Sequence, residues 1–141
     1  MSKPKVCITT IEYPPDVGGV GESVQRIARM LMNSGYEVHV AVFRSKQRFA
    51  SGDSRRRASC KTRLQDNVVV HQIKSAVRQP EPEVQDFFGD VYFYLNQLHQ
   101  QHQFDLFHAF FLNETGYVTT LLAKENGIPV INSICLLYTS D

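Results

Sequence analysis

The chain has 141 residues, 43% of them hydrophobic and 21% charged, with a formal net charge of +1; this suits one globular domain with a real core. Such a balance gives no strong pull toward nucleic acid, no apolar run nears the roughly 20 residues of a membrane span, and no signal peptide precedes the first strand-like segment. The three cysteines, Cys7, Cys60 and Cys135, are far apart and odd in number, which supports neither a disulfide framework nor a zinc knuckle and makes a reducing cytoplasm the simplest setting.

Val6 to Thr10 is a β-branched apolar run suited to a buried parallel strand. Val20, Val24, Ile27, Ala28 and Leu31 then fall at helical spacing, with Glu22, Gln25, Arg26 and Arg29 on the other side. Gly35 reads as the cap that ends this helix. Val38, Val40 and Val42 alternate in a second strand, Glu37 to Phe43. Residues 44–66 read as a mobile basic surface loop: Arg44 to Arg63 holds eight of the fifteen basic residues against the single acid Asp53. A third strand follows from Val68 to Ile73. Pro80 and Pro82 introduce a helix from about Glu83 to Gln101 with a broad apolar stripe. Asp105 to Phe111 is a fourth strand, Thr115 to Asn126 a helix ended by Gly127, and Ile128 to Ile134 a fifth strand.

Alternating strands and helices predict an α/β class fold, a three-layer α/β/α Rossmann-like domain with a mainly parallel sheet. It occupies residues 1–134 and is expected to be incomplete at its C-terminal end, with 135–141 an atypical tail. In such sheets ligands bind beyond the carboxyl ends of the strands. The loop after the first strand and the loop after the fourth, His108 to Gly116, should therefore share a crevice.

The loop after the first strand carries the strongest chemical signal. Glu12 to Glu22 reads Glu-Tyr-Pro-Pro-Asp-Val-Gly-Gly-Val-Gly-Glu. Two prolines stiffen the exit from the strand, and the glycines let the main chain approach a bound group closely. The helix then turns its free amides and the positive end of its dipole back toward the loop. Strand, glycine loop and helix start together make an anion site suited to a phosphate or diphosphate. A tight connection without a ligand is the plainer reading. A dinucleotide fits less well, because Val24 stands where the fingerprint has its third glycine and Phe43-Arg44 close the second strand without an acid.

Other residues carry paired readings. His108 is either a bonded strand histidine or a catalytic base. His71, His99 and His102 read as structural or solvated, with no metal site. Glu22 either favours the helix dipole or binds an acceptor hydroxyl, and Asn113 either caps a helix or binds a sugar. The basic loop is either solvated surface or a patch that touches acidic membrane lipids, which would place the protein at the inner face of the membrane.

Three segments in order point to a family. Glu12-Tyr13-Pro14-Pro15 with Gly18-Gly19-Val20-Gly21 and Ser34-Gly35-Tyr36-Glu37-Val38, then Phe104-Asp105-Leu106-Phe107-His108-Ala109, then Gly127-Ile128-Pro129-Val130-Ile131, resemble the amino-terminal domain of retaining glycosyltransferases of the GT-B fold, family 4-like. The resemblance covers the chain to about Ser133. It implies a full enzyme of two facing Rossmann-like domains that transfers a sugar from a nucleotide-sugar donor to an unidentified acceptor, with retention and without a metal or other cofactor. Gly18, Gly19, Val20 and Gly21 would lie at the donor diphosphate, and Asp16, Glu22, Asn113 and Glu114 at the acceptor. The family's main catalytic residues and most of its nucleotide contacts belong to the second, nucleotide-sugar domain, absent from this sequence, so the chain alone is expected to be inactive or nearly so. It departs from the family at Ser133 to Leu136 and at Phe110, positions where histidines are common. The alternative reading is a non-catalytic α/β domain that binds a phosphorylated ligand or a protein partner.

Overall fold

Strand β1, Lys5–Thr10, is buried from Val6 to its end and supplies side chains to both faces of the sheet. Val6 and Ile8 pack with Val20, Val24 and Ala28 of α1, Gly19–Asn33, whereas Cys7 points into the core on the other side. A strand shielded on both faces needs apolar residues throughout, and this explains its continuous β-branched run.

The computed structural model describes residues 3–16, 18–46, 58–78, 84–110 and 114–133. After α1 come β2 (Glu37–Lys46), β3 (Ser59–Gln65), β4 (Val68–Arg78), α2 (Val84–His102), β5 (Leu106–Phe110), α3 (Glu114–Asn126) and β6 (Val130–Ser133). They build a six-stranded sheet in the order β3-β4-β2-β1-β5-β6, parallel except for β3. From β1 the chain moves one way, through β2 to β4, and then returns over α2 to place β5 and β6 on the other side of β1. Right-handed crossovers in opposite directions must lie on opposite faces. Accordingly α1 covers one face while α2 and α3 cover the other, giving three layers.

The second core gathers Cys7, Ala41, Phe43, Ile73, Val91, Leu95, Phe104, Phe107, Val118 and Leu122. Phe104 and Phe107 meet edge to face with ring centroids 5.6 Å apart, a favourable arrangement of their quadrupoles. Helix ends are fixed by backbone bonds. Gly35 (φ +95°) donates to the Met32 carbonyl at 3.0 Å and Tyr36 to that of Leu31 at 3.0 Å. Gly127 (φ +66°) and Ile128 repeat the pattern on Lys124 and Ala123. Both are Schellman motifs, with glycine in the conformation that a side chain resists. The start of β1 is clasped to the end of α2: the Lys5 amide donates to Asp105 Oδ2 at 2.8 Å and its Nζ to the His102 carbonyl at 2.9 Å.

The basic segment needs correcting. Ser59–Gln65 is not part of a mobile loop but an antiparallel edge strand, joined to β4 by Asp66 (φ 51°) and Asn67 (φ 67°). Two positive φ angles in a two-residue connection are the mark of a type I′ hairpin. Lys61 and Arg63 are exposed on this strand, and charged residues there discourage pairing with another sheet. Charge that defends an edge thus resembles the composition of a loop. β2 also runs on to Lys46, so Arg44 belongs to a strand. Residues 47–57, with Arg48, Arg55, Arg56 and Arg57, lie outside the described residues, as do Asn113 and the tail from 135.

Two measurements probe this core. Phe107→Ala should cost about 3–5 kcal/mol in urea unfolding, and a loss under about 1 kcal/mol would contradict the packing. The pKa values of all five histidines are lowered by burial, that of His71 to about 3. An unfolded chain takes up those protons below about pH 6.5, so the stability they give is complete above that value and falls as pH drops toward 3. The melting temperature should decline from about pH 7 to about pH 5, and His71→Gln should flatten the decline; a temperature constant over that range would be the contrary result.

Candidate functional site

The chain reverses direction between β1 and β5, which are parallel neighbours from Val6↔Leu106 to Thr9↔Ala109. At such a switch point the following loops diverge and leave a crevice. Both loops therefore leave on the same rim, the one after Thr10 leading to α1 and the one after Phe110 leading to α3. Two contacts fix the start of α3 there. The Thr115 hydroxyl donates to the Phe110 carbonyl, and Thr9 Oγ1 lies 2.7 Å from Thr119 Oγ1, both fully buried.

The first loop is held from several sides. The Glu12 amide lies 3.2 Å from Thr10 Oγ1, and that hydroxyl 3.0 Å from the Glu12 carbonyl. The Tyr13 ring is buried, and the Asp16 amide donates to the Tyr13 carbonyl at 3.0 Å around the cis Pro14–Pro15 bond. Asp16 Oδ2 accepts from the Tyr13 amide at 3.2 Å and from Arg44 Nη2 at the end of β2. Gln65 Nε2 on β3 reaches the Pro14 carbonyl at 3.1 Å. The Asp16 carboxylate is thus committed to an internal ion pair, and an acceptor would have to share it.

Glu12 is the residue that the sequence reading passed over. Its Oε1 accepts from the Gly21 amide at 2.8 Å, so a carboxylate of the chain itself sits at the start of α1. There it meets the positive end of the helix dipole. This arrangement separates the glycines. A Cβ at Gly18 would come within 2.2 Å of Glu12 Oε1, and one at Gly21 within 3.3 Å of Tyr13 Cα, whereas one at Gly19 would meet open space. The Gly19 and Val20 amides bond to nothing among the described residues, and the Val20 side chain is buried beneath them. Of Gly18, Gly19, Val20 and Gly21, Gly21 is already engaged by an internal anion and Gly18 packs against it. An acid two residues beyond a strand and nine before the last glycine was the available signal.

The remaining residues divide. Glu22 is exposed in the first turn of α1 at the same rim, and the N-cap residue Gly18 offers that helix no side chain of its own. Glu114 opens α3 at that rim too. His108 lies mid-strand in β5, its Nε2 2.7 Å from the Ser133 hydroxyl of β6 and its ring stacked 4.9 Å from Phe110. Burial lowers its pKa, which keeps it neutral. Ser133, one of the departures from the family pattern, is its partner.

On the opposite rim, three histidines that the sequence treats as unrelated come together. His39 and His71 face α2 from neighbouring strands, and His102 of its last turn joins them. His71 and His102, read from the sequence as structural or solvated, thus lie together with His39. Only the strand register, with His71 opposite Ala41, brings them to one face.

Comparison with known proteins decides the family. The profile described as Glycosyltransferase Family 4 matches residues 17–134. The chain belongs to that family. None of the curated proteins matches its sequence. Among solved structures it is similar to sucrose-phosphate synthase from Thermosynechococcus elongatus (TM-score 0.63, 11% identity, 92% of this chain and 32% of that one). It is likewise similar to the catalytic domain of starch synthase IV from Arabidopsis thaliana, bound to ADP and acarbose (TM-score 0.58, 18% identity, 94% and 34%). A C-terminal domain of PF1911 hydrogenase from Pyrococcus furiosus shares the fold as well (TM-score 0.60, 14% identity, 95% and 93%). This family member spans about a third of the two synthase chains. At these identities the likeness shows the fold alone, and the hydrogenase domain illustrates how little fold by itself says about chemistry.

Gly18→Ala should destabilise the domain by about 1–3 kcal/mol by driving Glu12 from the Gly21 amide, while Gly19→Ala should stay within about 0.5 kcal/mol. Equal effects of the two in chemical denaturation would contradict the placement of Glu12.

Proposed function

We propose that this chain is the amino-terminal, acceptor-side domain of a glycosyltransferase that moves a sugar from a nucleotide-sugar donor to an acceptor with retention. The observation that carries the reading is the convergence of the glycine loop and the start of α3 on one rim at the switch point, in a chain of a glycosyltransferase family. The starch synthase of this fold is bound to ADP and acarbose, a nucleotide and a carbohydrate.

In this reading the amides of Gly19 and Val20 face the donor diphosphate and stabilise charge on it as it leaves. Glu12 holds Gly21 and keeps the loop in place before the ligand arrives. Exposed Glu22, with Asp16 on Arg44, offers acceptor hydroxyls hydrogen-bond partners. Asn113 and Glu114 are proposed to do so from the facing loop. His108 is the only candidate base named in this domain, and its bond to Ser133 gives it an orienting partner. Most nucleotide contacts and the main catalytic residues are assigned to a second domain, so the chain by itself is proposed to be inactive or nearly so. No metal is assigned to the transfer.

The test is a nucleotide-release assay on a longer protein that joins this chain to its second domain, with UDP-, GDP- and ADP-sugars and lipid, polysaccharide and metabolite acceptors. One donor should turn over in an acceptor-dependent manner, and the product's anomeric proton coupling should match that of the donor. Glu22→Ala should lower kcat/KM about tenfold or more. An inverted anomer would refute retention. A folded two-domain protein that turns over no donor would favour a non-catalytic binding domain.

A further inference from the structure

The meeting of imidazoles on the far rim has a chemistry of its own, independent of sugar transfer. His39 lies near the start of β2 and His71 near that of β4, both buried; α2 runs back across them and ends at half-buried His102. One nitrogen of each lies within 4.8 Å of the other two. His39 and His71 lie nearly coplanar and end to end, planes 7° apart and centroids 5.1 Å apart, and the His102 centroid is 4.5 Å from that of His39.

The outward nitrogens already have partners. His39 Nε2 is 2.7 Å from the Glu37 carboxylate and His71 Nδ1 is 2.8 Å from the Thr62 hydroxyl. A carboxylate only accepts, so the His39 proton stays on Nε2 and Nδ1 turns a lone pair inward. His71 Nε2 stands 2.8 Å from that lone pair and donates to it in the metal-free chain. The Thr62 hydroxyl can donate or accept. When it accepts, the His71 proton moves to Nδ1, and both inner nitrogens become free to bind a cation beside His102.

We propose that His39 Nδ1, His71 Nε2 and a ring nitrogen of His102 bind one late first-row divalent cation, Zn²⁺ foremost. Neutral imidazoles suit zinc, copper and nickel and are poor ligands for magnesium or calcium. Histidine ligands characteristically give their second N–H to a carboxylate or another acceptor, which is the position of Glu37 and Thr62 here. Tetrahedral Zn–N bonds of about 2.0–2.1 Å set the nitrogens about 3.3 Å apart. The inner pair must therefore open by about half an ångström and tilt until their lone pairs converge on the ion, and His102, on a helix end, must swing inward. The Lys5 ammonium at the His102 carbonyl opposes a cation, and the Glu37 carboxylate offsets it. Cys7 is the register partner of His39 on β1 but is not one of the three. The bound ion would join β2, β4 and the end of α2 as a structural clasp, away from the glycine loop.

The experiment treats the purified chain with a chelator, then titrates it with Co²⁺ by visible absorption and with Zn²⁺ against a chromophoric competitor. Wild type should bind one ion, show the intense bands of tetrahedral cobalt and melt at a higher temperature with zinc. His102→Ala and Glu37→Gln should each weaken zinc affinity about 10- to 100-fold. Both positions reach solvent, and circular dichroism checks that each variant folds. The proposal is overturned if wild type lacks the tetrahedral cobalt spectrum, or if folded His102→Ala binds zinc as tightly as wild type.

Discussion

The structure depends on the double shielding of β1. Its six residues are paired on both edges and covered on both faces. Because crossovers are right-handed, a chain that departs from such a strand in one direction and returns past it in the other must use both faces of the sheet. From that follow the three layers, the common rim of the α1 and α3 starts, and the arrival of the α2 end at the far rim. A polar residue in place of Ile8 would disturb all of these at once.

Glu12 changes how the glycine loop should be regarded. A helix start with spare amides attracts negative charge, and here a side chain from nine positions earlier supplies it at 2.8 Å. The loop thus has its shape before any ligand arrives, which reduces the ordering cost of binding. The same charge occupies the Gly21 amide and would repel a second anion brought against it. Position within the loop, more than the number of glycines, distinguishes the residues that pack from those that face outward.

Most of the fold was legible in the sequence because it rests on local signals. Val20, Val24 and Ala28 announce α1, alternation at Val38, Val40 and Val42 announces β2, and Gly35 and Gly127 sit at the two helix exits as expected. The strand β3 was not legible, since Lys61 and Arg63 resemble loop composition; the Asp66-Asn67 pair was the better guide. At the candidate site, the common rim of the two loops was readable from the strand-loop-helix order. The Glu12–Gly21 bond, the Asp16–Arg44 pair and the meeting of His39, His71 and His102 were not. Each depends on register or loop closure between residues far apart in the chain, and periodicity carries no such information.

The clasp between Lys5 and the His102–Asp105 corner joins residues about a hundred positions apart, 97 and 100 by the two bonds. A central strand whose second neighbour comes so late raises the contact order, and such topologies fold slowly. During synthesis the β3–β4 hairpin can assemble early beside β2, but β1 is exposed along one edge until β5 leaves the ribosome. Until then the nascent apolar strand keeps an unpaired edge, the kind of surface on which another chain can add.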